Sequence, residues 1–159
     1  MDSISTRPAR ESDLETLLRF QRGIVDAERP YDSTLAEGGI RYYDIEALIR
    51  ADNVLFLIAE REMLPVGCGF ARLQDAKPYV KHRREAYLGL MYVEPAFRGQ
   101  GVNSRLLTEL SEWCRSQGVL ELRLDVYPDN ASARRAYEKA GFTPHLLEMR
   151  QLLTPDESG

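Results

Sequence analysis

Cysteine, histidine, positive charge and long apolar runs are all scarce in this 159-residue chain, and each shortage closes a class of function. The two cysteines, Cys68 and Cys114, have neither metal-ligand spacing nor the density of a disulfide framework, and read as small core residues. Of the two histidines, His82 stands in a loop with no evident partner, and it is assigned no chemistry. With 21 Lys and Arg against 25 Asp and Glu, the net charge of −4 argues against nucleic acid, whose phosphates select a basic surface. No run approaches the ~20 apolar residues of a membrane span, and the polar N-terminus lacks a signal-peptide core. The expectation is a cytoplasmic protein with no metal and no nucleic-acid or membrane partner, folded as one domain over residues 1–153 with a frayed tail at 154–159.

The stretch from Tyr87 to Gly118 organises the rest. Residues 87–93 are apolar, carry Tyr87 and Tyr92, and stop at Glu94-Pro95, as a buried strand does. Arg98-Gly99-Gln100-Gly101 follows, and then Val102, Leu106, Leu107, Leu110, Trp113 and Cys114 recur at helical spacing before Gly118. Strand, glycine loop and helix start together make an anion site, because the glycines turn N–H groups toward one point and the helix adds about half a positive charge. The loop lacks the Gly-Lys-Ser/Thr of a nucleoside triphosphate site. Gly99-x-Gly101-x-x-Ser104 misses the dinucleotide fingerprint by one residue, and a plain tight turn before a helix also fits.

Around it, elements alternate. Residues 4–7 read as a short strand, and Ser12-x-x-Glu15 as a capping box for a helix with Leu14, Leu17, Leu18, Gln21 and Val25 on one face. Residues 26–39 read as loop, and 43–50 as a short helix. Tyr31, Tyr42 and Tyr43 cluster there, covering core or lining a pocket. Residues 54–60 and 66–73 form a hairpin joined at 61–64, and 75–85 a basic loop, either solvated or attractive to an anionic group. Leu122, Leu124 and Val126 alternate with Arg123 and Asp125 in a half-exposed strand. Asn130 caps an alanine-rich helix at 131–140, and residues 142–153 close with one or two strands. Strand–helix alternation after a hairpin predicts a mixed α/β sheet with helices on both faces.

Two segments, taken in order, resemble the GNAT superfamily of N-acetyltransferases. Residues 93–103, with Arg98-Gly99-Gln100-Gly101, are similar to that family's acyl-CoA pyrophosphate loop. Asn130-x-x-Ala133-x-x-x-Tyr137-Glu138-Lys139-x-Gly141-Phe142 is similar to its later CoA-binding helix. The resemblance implies the acyl-CoA N-acyltransferase fold: a mostly antiparallel sheet of six to seven strands, splayed between the fourth and fifth to admit acetyl-CoA. It places the cofactor against Met91, Tyr92 and Val93, its pyrophosphate on the N–H groups of Arg98, Gly99, Gln100, Gly101, Val102, Asn103 and Ser104, and its pantetheine opposite Asn130. Asn103 departs from the family's Gly/Ala, so its side chain either donates to the phosphates or turns away.

Transfer of acetyl from a thioester to an amine needs a neutral amine, a donor for the oxyanion and a proton for the departing thiolate. By position, the resemblance makes Tyr137 the general acid, and the backbone N–H of Met91 the oxyanion donor. The fourth strand lacks the family's common carboxylate, leaving Asp125 as first candidate for the base and Glu85, acting through water, as second. The acceptor is a small amine or amino acid, or a peptide or protein amine, and a homodimer is possible. The competing reading is a non-catalytic acyl-CoA-binding module, which needs the loop but not Tyr137.

Overall fold

The computed structural model describes residues 3–156, so part of the tail expected at 154–159 lies outside the described residues. Five strands form one sheet in chain order: β1 (Ile4–Pro8), β2 (Val54–Arg61), β3 (Leu64–Asp75), β4 (Arg84–Val93) and β5 (Leu122–Arg123). β1 to β4 pair antiparallel, and β5 joins β4 in parallel. Four helices accompany them: α1 (Leu14–Glu28), α2 (Ile45–Arg50), α3 (Val102–Ser116) and α4 (Ala131–Lys139).

The strands have two buried faces, and their alternation divides the core in two. Leu57, Ala59, Ala86 and Leu88 point to α3 and pack with its Val102, Leu106, Leu107, Leu110 and Cys114. Phe56, Ile58, Cys68 and Phe70 point the other way, onto Leu17 and Phe20 of α1 and Ile45 and Leu48 of α2. Both cysteines are fully buried, and burial raises both thiols above their ordinary pKa.

Three expectations change. No Ser12–Glu15 box caps α1: a one-turn 3-10 helix (Glu11–Asp13) leads into it, where the Asp13 Oδ2 accepts from the Arg10 N–H at 2.7 Å and both Asp13 oxygens accept from Arg7 at 2.8 Å. The strand read over 120–126 is registered at Leu122 and Arg123 only, because the chain leaves β4 beyond that point. Residues 142–153 form no strand, so five are present where six to seven were expected; 143–155 make no backbone hydrogen bond with another described residue. The hairpin at 61–64 is as read, with Glu62 and Met63 at φ 52° and 66° in a tight two-residue turn.

Candidate active site

The sheet opens where β4 parts from β5. The two are in register only at Ala86↔Leu122 and Tyr87↔Arg123, so from 88 to 93 the outer edge of β4 faces a gap. A bulge shapes that edge. Gly67 pairs with Val93 and Cys68 with Tyr92, but Phe70 pairs with Gly89, which places one extra β4 residue opposite Gly69. Leu90 takes φ 52° there and turns to the α1 side of the sheet, whereas Ala86 and Leu88 face α3. The Glu94 N–H donates to the Val66 carbonyl at 2.8 Å, on the β3 side. Successive peptides alternate along a strand, so the polar groups of Met91 and Val93 point into the gap. Arg98 lies on that side and donates from Nε to the Val93 carbonyl at 3.2 Å.

Beyond β4, the one-turn helix Pro95–Phe97 leads into the glycine loop. Gly99 and Gly101 hold φ of 76° and 85°, a region that costs other residues roughly 1–2 kcal/mol. A Cβ at either would meet nothing within 4 Å, so these glycines serve the turn and leave open space over it. Gly101 is the N-cap of α3 and offers no side-chain acceptor. The first intrahelical bond is from Arg105 N–H to the Gly101 carbonyl at 3.0 Å. The N–H groups of 99–104 therefore bond to no described residue, at the positive end of a 15-residue helix. Val102 is buried and anchors the turn, Asn103 is half-buried and Ser104 exposed. The Gln100 side chain bonds Arg61, away from the loop's N–H groups.

α4 follows the loop after β5, and its Tyr137 packs against the α3 side of the core. Asn130 caps the helix, its Oδ1 accepting from the Ala133 N–H at 3.3 Å. Tyr137 packs edge-on against Phe142, ring centroids 5.9 Å apart. Its hydroxyl bonds to no described residue. Burial first, then the charge of Glu28, push its pKa up to about 12, so it keeps its proton at neutral pH.

The two carboxylates proposed as base have different surroundings. Glu85 is buried at the joined end of β4 and β5, within reach of His82 (3.1 Å), Gln74 (3.3 Å) and Arg123 (3.5 Å). Burial alone would raise its pKa, but the bonds from His82 and Gln74 and the charge of Arg123 bring it below the ordinary value. Here His82 has the partner that the sequence did not reveal. Asp125 is exposed just beyond the register with β4, and its Oδ2 accepts from the Tyr87 hydroxyl at 3.1 Å. The Tyr43 hydroxyl lies 3.4 Å from that of Tyr87. Tyr43 comes so close to β4 because residue 89 is glycine; a Cβ there would stand 2.8 Å from its hydroxyl and 2.5 Å from the Phe70 ring. Burial raises the pKa of both Tyr43 and Tyr87, so this pair of phenols stays neutral beside the carboxylate.

Sequence reasoning missed Tyr87 as a site residue, and left Tyr43 between core and pocket. It also missed a second group around the loop after α1. There the Tyr127 hydroxyl donates to Asp32 Oδ2 at 2.9 Å and the Tyr31 and Tyr127 rings stack at 6.1 Å. The hydroxyl and N–H of Thr34, with Tyr127, hold Asp32 down to about 2, while burial lifts Glu28 above the usual carboxylate range. Among the described residues no group of three or more His, Cys, Asp or Glu could hold a metal ion, and no helix is long and apolar enough to cross a membrane.

Residues 16–142 match the model of the Acetyltransferase (GNAT) family. The aminoglycoside N(6')-acetyltransferase type 1 of Salmonella typhimurium is 26% identical over 120 residues, 71% of this chain and 74% of that protein. The thialysine N-epsilon-acetyltransferase of Sus scrofa is 28% identical over 152 residues, 89% of this chain and 85% of that one. A Clostridium acetobutylicum protein, described as a predicted acetyltransferase and solved with acetyl-CoA, superposes with a TM-score of 0.74 at 21% identity. The superposition covers 93% of this chain and 96% of that one.

Proposed function

The chain belongs to the GNAT family of acetyltransferases, and from that premise we propose which of its residues carry acetyl from acetyl-CoA to an amine. It is an acetyl-CoA-dependent N-acetyltransferase. The N–H groups of 99–104 hold the pyrophosphate, with Arg98 beside them. The gap-facing polar groups of Met91 and Val93 pair with the pantetheine arm as a missing strand would, with Tyr92 fixing the strand between them. The free amide of Asn130 meets the arm from the opposite wall.

The amine nitrogen attacks the thioester carbonyl carbon directly, the oxyanion leaning on the Met91 N–H, and the carbon–sulfur bond breaks. Asp125 takes the proton that the amine sheds, and Tyr137 gives its phenolic proton to the leaving sulfur. We assign the base to Asp125 in preference to Glu85, whose oxygens are already engaged by three partners. The Tyr87 hydroxyl, itself beside Tyr43, orients Asp125.

For the acceptor we propose a small amine carrying positive charge, in preference to a protein N-terminus. Glu28 and Asp125, with Asp32 shared with Arg150, put negative charge among Tyr31, Tyr43, Tyr87 and Tyr127. The acceptors named for the relatives, an aminoglycoside and a lysine analogue, are of that kind. A cytoplasmic site of action and a single domain over 1–153 belong to the same reading.

The observation that carries it is the run of N–H groups at 99–104 that bond to no described residue, with the Tyr137 hydroxyl on α4 likewise free of any described partner. Release of free thiol from acetyl-CoA against a panel of diamines, amino acids and peptides tests it. Turnover with small cationic amines is expected; turnover with peptides alone would overturn the acceptor class, and binding without turnover would leave a sensor module.

A further inference from the structure

Arg72 stands on β3 between Val54 of β2 and Tyr87 of β4, on the face of the sheet that α1 and α2 cover. Its guanidinium carbon lies 5.9 Å from the centroid of the Phe70 ring and 5.6 Å from that of Tyr87. Phe70 in turn meets Tyr43 edge-on, ring centroids 5.0 Å apart. The Arg72 side chain is half-buried, yet no hydrogen bond or ion pair joins it to a described residue. Other part-buried charges of the sheet are matched: Arg7 by Asp13 and Glu60, and Glu85 by Arg123 and His82. A cation drawn away from water without a counter-ion is costly, and two aromatic rings offset only part of that cost. Stacking uses the faces of the guanidinium and leaves the N–H donors at its edge, in the fork that fits a carboxylate.

Arg72 and Tyr43 line a cavity of about 240 Å³, bordered by Ala47 of α2, Asn53 and Val54. Asn53 is occupied, its Nδ2 donating to the Leu73 carbonyl at 2.8 Å. Asp44 also lines the cavity, but it is exposed, and its Oδ1 accepts from the Ala47 N–H at 3.1 Å as the cap of α2. Arg72 therefore brings the cavity its positive charge, with every donor unengaged. Tyr43 is the wall shared with the reacting centre. Its hydroxyl lies 3.4 Å from that of Tyr87, which donates to Asp125 at 3.1 Å. Tyr87 thus carries a cation over its ring and a carboxylate at its hydroxyl, and the two charges form no ion pair with each other.

We propose that Arg72 holds the carboxylate of an acceptor that is a diamino acid, one of whose amines is delivered to Asp125. The separated charges read the two ends of one small molecule, and its carboxylate supplies the counter-ion that Arg72 lacks within the chain. The positive charge already argued for the acceptor then comes with a negative end, which a plain diamine does not have. This rests on acetyl transfer to an amine at Asp125 and adds a substrate class to it. Arg72 takes no part in the chemistry, so its contribution belongs to acceptor KM and not to kcat.

The test is free-thiol release from acetyl-CoA with diaminobutyrate, ornithine and lysine, each against the diamine left when its carboxyl group is removed. The members of a pair carry the same amines on the same chain. At least one amino acid is expected to exceed its diamine in kcat/KM by about ten-fold or more, the scale of one charge-assisted contact. Arg72→Gln should bring that amino acid down to its diamine through KM, with kcat kept and acetyl-CoA KM as in the parent. Arg72→Lys should restore part of the difference, since it returns the charge without the fork. Diamines that equal or exceed their amino acids in the parent would overturn the proposal. So would an Arg72→Gln loss shared alike by both members of a pair, the result of packing on Tyr87 alone. Acetyl transfer itself survives either result; only the absence of thiol release with every amine would overturn it, and this proposal with it.

Discussion

The Tyr87 hydroxyl donates to Asp125 Oδ2 at 3.1 Å, tying β4 to the segment that leaves β5 after their two register positions. The bond lies at the vertex where the sheet divides, and it is the sole described hydrogen bond of the Asp125 carboxylate. A side chain on β4 thus sets the direction of a carboxylate on the opposite wall of the cleft. Tyr43, 3.4 Å further on, extends the contact to the α2 side of the sheet.

Removing the Tyr87 hydroxyl should therefore disturb the base without touching the cofactor. Tyr87→Phe is expected to lower kcat by about ten-fold, less than the roughly 10²–10⁴ of losing an acid or base outright, with acetyl-CoA KM unchanged. Asp125→Asn should cost at least as much, and the double variant no more than Asp125→Asn alone, since both act through one group. Steady-state kinetics on the three variants checks this; additive losses would separate the two residues.

Tyr137→Phe should lower kcat by 10²–10⁴-fold or thereabouts, about the span of general acid catalysis, while leaving acetyl-CoA affinity alone. Because burial holds Tyr137 at about 12, above the ordinary 10, the neutral phenol persists as pH rises. The parent's kcat should thus show no decline attributable to this group between pH 9 and roughly 11. A fall centred near 10, absent from the variant, would contradict the buried setting.

Gly101→Ala isolates the backbone of the pyrophosphate loop. The added methyl meets nothing, so any cost comes from φ 85°, on the order of 1–2 kcal/mol. Thermal denaturation should show that loss, and acetyl-CoA KM should rise several-fold as the N–H groups of 99–104 lose alignment. An unchanged KM would remove the loop from phosphate binding.

Acid stability should report on Asp13. Its bond to Arg7, against an opposing effect of burial, and the Arg10 N–H hold its pKa below the ordinary 3.8. A depressed folded-state pKa stabilises fully above the unfolded value, and that contribution is lost as pH falls through the folded one. Melting curves should hold above about pH 4 and drop below it. Asp13→Asn should flatten that drop and cost about 1–3 kcal/mol at neutral pH, since the half-buried Arg7 loses its bidentate partner.

The sequence was informative where local chemistry decides. Gly99 and Gly101 could be read because positive φ leaves few other residues possible, and α3 because its apolar spacing faces the core. Tyr137 needed the resemblance, which covers the α4 segment residue by residue. The bond from Tyr87 to Asp125 could not be read: 38 residues separate the pair, and it exists only because β5 joins β4 in parallel for two positions before leaving it. Likewise the Ser12–Glu15 spacing predicted a capping box that does not form, because a one-turn 3-10 helix precedes α1 and Arg7 on β1 and the Arg10 N–H engage the Asp13 carboxylate there. The one or two strands read over 142–153 do not form, because a strand exists only with a partner edge, and pairing is not a property of the segment itself.

The most direct test is a crystal structure with CoA bound. The pyrophosphate is expected on the N–H groups of 99–104, and the sulfur within about 3.5 Å of the Tyr137 hydroxyl, the reach of a proton transfer. A diphosphate seated away from that loop, or a sulfur out of reach of Tyr137, would contradict the account.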